Sequence, residues 1–377
     1  MIIDQINLYR LKMPLKNPFE TSFGRLLFKD FHVVGVHCGE LTGYAESTSL
    51  PYPVYNEETT GTVSYMLKEF LIPRLFSKKE IGHPKEVDEL FSPIRRNNMA
   101  KAVLEGAVWD LFSKQEGIPL SRALGGQKDE IEAGVSIGIE ASIEDVLAKV
   151  EKFMADGYKK IKVKIKPGFD VELIKAIRNR FGMDVPLMAD ANSAYTLDDI
   201  ELLKEIDQYG LMMIEQPLAH DDIIEHATLQ KQLQTPICLD ESIHSAEDAR
   251  KAIELGSCKI INIKVGRVGG LTQAIKIHDI CQQNDIPVWC GGMLEAGIGR
   301  AHNIALTSLS NFTIPGDTSE SNRYWERDII KPEVTFKEPG KLSVPASSGI
   351  GYEVDEEALR EYLVEESVIK NDQVLQS

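Results

Sequence analysis

Five ionisable residues recur along the middle of the chain at a nearly constant interval: Lys164, Asp190, Glu215, Asp240 and Lys264, separated by 26, 25, 25 and 24 residues. Each stands at or just past the C-terminal end of a short apolar run. Three carboxylates gathered in one pocket repel one another unless a cation neutralises them. Hard oxygen donors without a nearby histidine or thiolate favour Mg2+ or Mn2+ over Zn2+. A lysine on either side of such an ion is an acid/base pair for taking and returning a proton α to a carboxylate. That proton is weakly acidic, so the site must stabilise an enediolate, which a divalent ion on the carboxylate oxygens does directly.

The same residues have plainer readings. Carboxylates after strands commonly cap the next helix. Here Thr196 with Asp199, and Ser245 with Asp248, form boxes that take over the capping, and Glu215 runs straight into Gln216 and Pro217. That leaves Asp190, Glu215 and Asp240 for a metal. In Lys160, Ile161, Lys162, Val163, Lys164, Ile165 the alternation is cationic against apolar. Residues i and i+2 of a strand share a face, so the apolar set packs under helices while the lysines point inward. Unpaired buried ions cost several kcal/mol each, so the inward lysines need a chemical reason. Lys162 crowded beside Lys164 is expected to lower the pKa of Lys164 and free its amine as a base. The competing reading is a strand that ends at solvent with its lysines exposed. Asn262 and Lys264 face inward by the same alternation, on a strand across from Lys164.

The interval of about 25 residues is that of a strand-helix unit. Strands are expected at 133–137, 160–165, 185–189, 212–215, 237–240, 260–264, 287–290 and near 312–314, with helices between them such as 143–155, 171–181 and 271–283. The fold class is therefore α/β: a (β/α)7-8 TIM-type barrel over residues 126–320, with its site at the C-terminal ends of the strands. Residues 1–125 read as an α+β capping domain, with strands at 2–12 and 31–47, a turn at 40–43, and helices at 57–74 and 97–116. The repeat stops after Pro315, and residues 321–377 offer short strands and a helix at 356–364 that return to the capping domain.

Composition narrows the functions. The net charge of −16 opposes general binding to nucleic acid or anionic membranes. Five scattered cysteines without a CxxC pair suit reduced thiols, and the first residues lack the basic-then-apolar pattern of a signal peptide. No apolar stretch approaches membrane-spanning length. A cytoplasmic protein is expected. None of the eight histidines sits at a strand end with a second at ligand spacing, and Gly266 to Gly270 reads as a turn rather than a dinucleotide fingerprint.

The motifs K-x-K at Lys162 and Lys164, D-A-N at Asp190 to Asn192, E-Q-P at Glu215 to Pro217, D-E-S at Asp240 to Ser242, and the lysine Lys264 resemble the muconate-lactonizing group of the enolase superfamily, over nearly the whole chain. Strand seven carries Cys290 and Gly291 where mandelate-racemase-like members have a histidine. The runs GGMLEAGIGRAHNIAL and PGDTSESNRYWERD look like the o-succinylbenzoate synthase and N-acylamino acid racemase branch. That resemblance implies a small carboxylate substrate, 2-succinyl-6-hydroxy-2,4-cyclohexadiene-1-carboxylate, dehydrated in menaquinone synthesis with Lys164 as base and Lys264 as a steadying cation. It equally implies racemisation of N-succinylamino acids, with the two lysines alternating as acid and base.

The resemblance also places Ser136, Lys162, Asn192, Glu241, Gly292 and Met293 around the substrate or metal, and implies a homo-oligomer, dimer or octamer. Ser136 and Met293 read as well as ordinary barrel residues, and Gly291 and Gly292 as a plain turn. Segment 17–25 resembles a mobile lid with Gly24 as hinge and Phe19 or Phe23 as an apolar wall. Dipeptide epimerases of the family carry D-x-D on the last strand; Asp317 here is followed by Ser319, which counts against that activity. Two readings of other classes remain: a Schiff-base aldolase using Lys164, and a barrel kept only for binding.

Overall fold

The computed structural model describes residues 1–21 and 24–371. Three antiparallel strands open the chain: β1 (Gln5–Thr21), β2 (Gly24–Cys38) and β3 (Leu41–Glu46). The turn between β2 and β3 falls at residues 39–40, earlier than expected, and β3 begins at Leu41. The larger departure is at 17–25. β1 and β2 pair as far as Pro14 and Phe28, shift register, and pair again at Phe19 with Leu26, Glu20 with Arg25 and Thr21 with Gly24. The expected lid is therefore the far end of a hairpin. Ladder bonds are made by backbone, so a polar segment holding Pro14 and Pro18 can join them at a bulge without any side-chain alternation to announce it. Phe23, the second expected wall residue, lies outside the described residues.

The expected helix at 57–74 is three joined helical segments, Thr60–Met66, Leu67–Leu71 and Ile72–Phe76. The Asn98–Gln115 helix is buried along most of its length between the sheet and the barrel.

After β4 (Glu130–Glu132) come the seven parallel strands β5 (Gly134–Ile137), β6 (Lys160–Lys164), β7 (Leu187–Asp190), β8 (Ile214–Glu215), β9 (Ile237–Leu239), β10 (Ile260–Ile263) and β11 (Val288–Cys290), neighbours in chain order. An irregular segment takes the eighth position: Phe312 bridges to Val288 on β11 and Gly316 to Ala133 beside β5. The amides of Asp317 and Gly134 bond to the carbonyls of Cys290 (2.9 Å) and Gly316 (2.6 Å). The sheet is thus closed into a TIM-type barrel, and the strand expected at 312–314 is reduced to single bridges.

Alternation explains the barrel's contents. Met188, Met213, Cys238, Ile260 and Trp289 form their own buried cluster. They occupy the inward positions one layer below Asp190, Glu215, Asp240 and Asn262. The site therefore rests on an apolar floor.

The tail adds β12 (Ile330–Lys331), β13 (Lys341–Ser343), β14 (Glu353–Val354) and β15 (Leu363–Lys370). β13 pairs with β4, and β15 pairs antiparallel with β1, giving the sheet order β15-β1-β2-β3. The expected helix at 356–364 stops at Glu361, because Leu363, Val364, Val368 and Ile369 favour the strand that follows. No helix among the described residues is long and apolar enough to cross a membrane.

Two buried glutamates of the N-terminal part dock it onto the barrel. The Leu271–Gln283 helix starts after Gly270, which offers no side-chain cap. Glu105 accepts instead from the amides of Leu271 and Thr272 (2.9 Å each), with Trp109 Nε1 at 2.7 Å. Glu46 does the same for the Gly297–Thr307 helix, accepting from the amides of Ala296 and Gly299 (2.8 Å each) while paired with Lys29 at 2.5 Å. Helix N-termini favour such carboxylates.

Glu105→Ala strands two buried amides and should lower stability by about 1–3 kcal/mol, read from urea midpoints. A second expectation concerns pH. His32 on β2 is buried, its Nδ1 without a partner among the described residues, and burial, reinforced by Arg10, pushes its pKa down to about 4. Protonation then opposes folding, so this contribution is complete above pH 6.5 and lost as pH falls from 6.5 towards 4. His32→Leu should flatten that part of the stability profile.

Candidate active site

Parallel register assembles the site side by side. Ser136 on β5 lies beside Lys162 on β6, Lys164 beside Asp190 on β7, and Asp190 beside Glu215 on β8. Asp240 follows β9 and Lys264 follows β10, four strands from β6 and so across the barrel mouth. One cavity is lined by Ser136, Lys162, Lys164, Asp190, Asn192, Lys264, Gly292 and Met293, under Phe19 of the hairpin and Tyr55 of the loop after β3. Glu215 and Asp240 are fully buried just behind it.

Every charge here has a counter-charge. Lys162 Nζ stands 3.1 Å from Glu215, 3.1 Å from Asp317 and 3.3 Å from Asp190. Burial works to lower its pKa, but Asp317, Glu215 and Asp190 outweigh burial and hold the ammonium well above its ordinary value. Lys164 donates to Asp190 Oδ2 at 2.6 Å and to Asn192 Oδ1 at 2.5 Å. Burial would raise the Asp190 carboxyl, yet Lys164 and Lys162 keep it well below the usual carboxylate range. Lys264 donates to Asp240 Oδ2 (2.8 Å) and Tyr55 Oη (3.2 Å). Asn262, inward on β10, donates to Glu215 Oε1 at 2.7 Å.

The capping boxes that free the carboxylates are present at Thr196 with Asp199, while Ser245 accepts from the amide of Asp248. Asp190 instead accepts from the amide of Asn192 at 3.0 Å.

Three participants escape a reading by motif. Arg267 lies where a turn was expected, but Val265–Val268 is a short helix that carries its guanidinium onto Asp240, with bonds to the carbonyls of Ile243 (2.7 Å) and Asn262 (2.6 Å). Its place one helical turn after Lys264 is the signal that would have found it. Lys160, the deepest lysine of β6, is completely buried, with Nζ 3.0 Å from Asp317 and 3.4 Å above the Trp289 ring. Burial pushes its pKa down against the pull of Asp317. A third inward lysine on one strand needs an acidic partner, which is the signal available in the sequence, but nothing along the chain singles out Asp317 as that partner. Tyr55 carries no sequence signal; the fold alone brings it to Lys264.

Two glycines make room. A Cβ on Gly134 would lie 2.5 Å from the Lys160 stem, and one on Gly291 would lie 2.6 Å from Lys264 Cε and 2.5 Å from Asn262 Nδ2. Close approach is the reason for Gly291. A Cβ on Gly292 would meet the Asp317 carbonyl at 3.2 Å, with Asp317 Cβ at 3.5 Å and Glu295 Oε2 at 3.7 Å in ordinary contact.

The donor set fits a hard divalent cation. Asp190, Glu215 and Asp240 come from neighbouring strands, and Glu241 adds a fourth buried carboxyl whose Oε2 has no partner among the described residues. Burial, then Asp190, then Glu215 raise the Glu241 pKa, although Lys264 and Asn192 work against them. Lysines and Arg267 now neutralise the oxygens of Asp190, Glu215 and Asp240, and among the described residues no three acidic side chains close on a single point.

A closed barrel with a lysine-carboxylate cluster at its mouth, covered by a separate α+β layer, is an enzyme of the acid/base class. The chain belongs to the enolase superfamily: residues 5–125 match the mandelate racemase / muconate lactonizing enzyme N-terminal domain and residues 145–358 the enolase C-terminal domain-like family. It is 58% identical, over 96% of both chains, to an o-succinylbenzoate synthase of Geobacillus kaustophilus. It is 46% identical to an N-succinylamino acid racemase of Thermus thermophilus, over 93% of this chain and 94% of that one. A crystal structure of an enolase superfamily member from Listeria innocua superposes with a TM-score of 0.95 at 45% identity, covering 98% of this chain and 100% of that one.

Gly291→Ala should displace the Lys264 stem by a fraction of an ångström or more and reduce kcat by roughly 100-fold, with the far-UV circular dichroism unchanged.

Proposed function

We propose that the protein is a divalent-metal-dependent o-succinylbenzoate synthase. The observation that carries this reading is the pair Lys164 and Lys264 on opposite sides of one cavity, each bonded to a carboxylate of the same cluster. It is supported by the named relatives. Asp190, Glu215 and Asp240 are the residues that would hold Mg2+ or Mn2+, which when bound supplies positive charge to the substrate carboxylate and acidifies its α proton.

Lys164, as the free amine, takes the proton from C1 of 2-succinyl-6-hydroxy-2,4-cyclohexadiene-1-carboxylate. The C–H electron pair passes into the enediolate and then into the C1–C6 double bond as the C6–O bond breaks, and the Lys164 ammonium returns the proton it has taken to the departing hydroxyl, which leaves as water. The ring becomes aromatic, which drives the step. Lys264, kept cationic by Tyr55, Glu241 and Glu215 against the effect of its burial, steadies the developing negative charge. Ser136, Lys162, Asn192, Gly292 and Met293 surround the substrate.

The opposed lysines also favour a second reaction at the same site, racemisation of N-succinylamino acids. Lys164 removes the α proton from one face and Lys264 delivers one to the other. A dipeptide epimerase is less favoured, because Lys160 and Lys162 already occupy both oxygens of Asp317.

Purified protein assayed with both substrates should dehydrate the cyclohexadiene carboxylate; efficient racemisation without dehydration would overturn the synthase reading. Lys164→Ala should abolish α-proton exchange in D2O, followed by proton NMR. Asp190→Ala and Glu215→Ala should be inactive with added Mg2+, and full activity of either in EDTA would exclude the metal assignment.

A further inference from the structure

Lys164 is aimed by two acceptors, Asp190 Oδ2 and Asn192 Oδ1. Asp190 belongs to the carboxylate cluster, so Asn192 is the acceptor that serves Lys164 alone. A primary amide has opposite polarity at its two ends. Turned by half a rotation, Asn192 would present N–H donors to the Lys164 nitrogen, repelling its ammonium form and tying up the lone pair of its free amine. Something must therefore hold the amide one way round.

The partner at the other end is Glu241, whose Oε1 accepts from Asn192 Nδ2 at 2.8 Å. An acceptor there leaves the amide a single orientation, with its carbonyl facing Lys164. The backbone of Asn192 is itself held in the left-handed region, φ +41°, with its amide on Asp190 Oδ1. Such conformations cost of order 1 kcal/mol and persist where surrounding contacts enforce them. Glu241 is buried close to other carboxylates, with its second oxygen unpartnered among the described residues. A carboxyl in that position costs stability, and the hydrogen bond it makes is the one to Asn192.

We propose that Glu241 is a positioning residue: its carboxylate locks the Asn192 amide with the carbonyl towards Lys164 and so sets the direction in which the Lys164 amine meets the α carbon. The proposal rests on the synthase and racemase reading above and adds to it a residue that acts through another.

The test uses three variants of the full chain with Mg2+. Glu241→Met removes the acceptor and should lower kcat by about 100-fold with KM changed by less than about threefold, as expected for a misdirected reacting group. Its melting temperature should stay level or rise. Glu241→Gln keeps an amide oxygen able to accept from Asn192 and should stay within about fivefold of wild type. In an Asn192→Ala background, Glu241→Met should cost less than about twofold further, because the path to Lys164 is already broken.

Three results would overturn the proposal: wild-type kcat in Glu241→Met, Glu241→Gln as damaging as Glu241→Met, or the same loss from Glu241→Met with and without Asn192. The second would mean that the negative charge, rather than the acceptor, is what the site needs. A wild type that neither dehydrates nor racemises would instead defeat the functional reading, and this inference with it.

Discussion

Mutual neutralisation of buried charge at the strand ends is the constraint on which the rest of the structure depends. Lys160, Lys162, Lys164, Lys264 and Arg267 supply five cations, and Asp190, Glu215, Asp240 and Asp317 supply the four carboxyls paired with them, most of these groups buried. Any one of these charges left alone would cost several kcal/mol, so the set is stable only as a whole. Pairing of this kind contributes little net stability compared with apolar packing; it keeps the reactive groups aimed inside a dry barrel.

That requirement reaches outward through the fold. The floor of Met188, Met213, Cys238, Ile260 and Trp289 closes off solvent from below, and the Trp289 face gives the deepest lysine a partner where no water can reach. From above, the N-terminal sheet contributes Phe19, and the loop after β3 contributes Tyr55. Their reach is set by Glu46 and Glu105, which end in the amides of two barrel helices. A helix N-terminus presents directional N–H donors, so these contacts define how the two layers meet more sharply than the surrounding apolar packing does.

Much of this was legible in the chain. Lys160, Lys162 and Lys164 face inward because strand alternation is a local property; Asp190 and Asp240 stand out because threonine and serine boxes relieve them of capping, and Glu215 because it runs straight into Gln216 and Pro217. The (β/α) beat follows from the same periodicity. The pairing of residues 19–21 with 24–26 was hidden because it is made by backbone across a bulge, and the eighth barrel position because it is held by single bridges. Arg267 was read as part of a turn because a four-residue helix is too short to leave a periodic signal. Asp317 was weighed only against an absent aspartate at position 319, while its partners lie more than 150 residues away on β6.

The sequence by itself determined which side chains enter the barrel and in what order around its rim, since alternation and the repeat length depend only on neighbours along the chain. The tertiary structure alone decided which charge answers which: Asp317 with Lys160 and Lys162, Arg267 with Asp240, Tyr55 with Lys264, and Glu241 with Asn192. Electrostatic pairing depends on distances of about 3 Å between atoms that chain separation does not constrain, and those distances exist only once the sheet has closed.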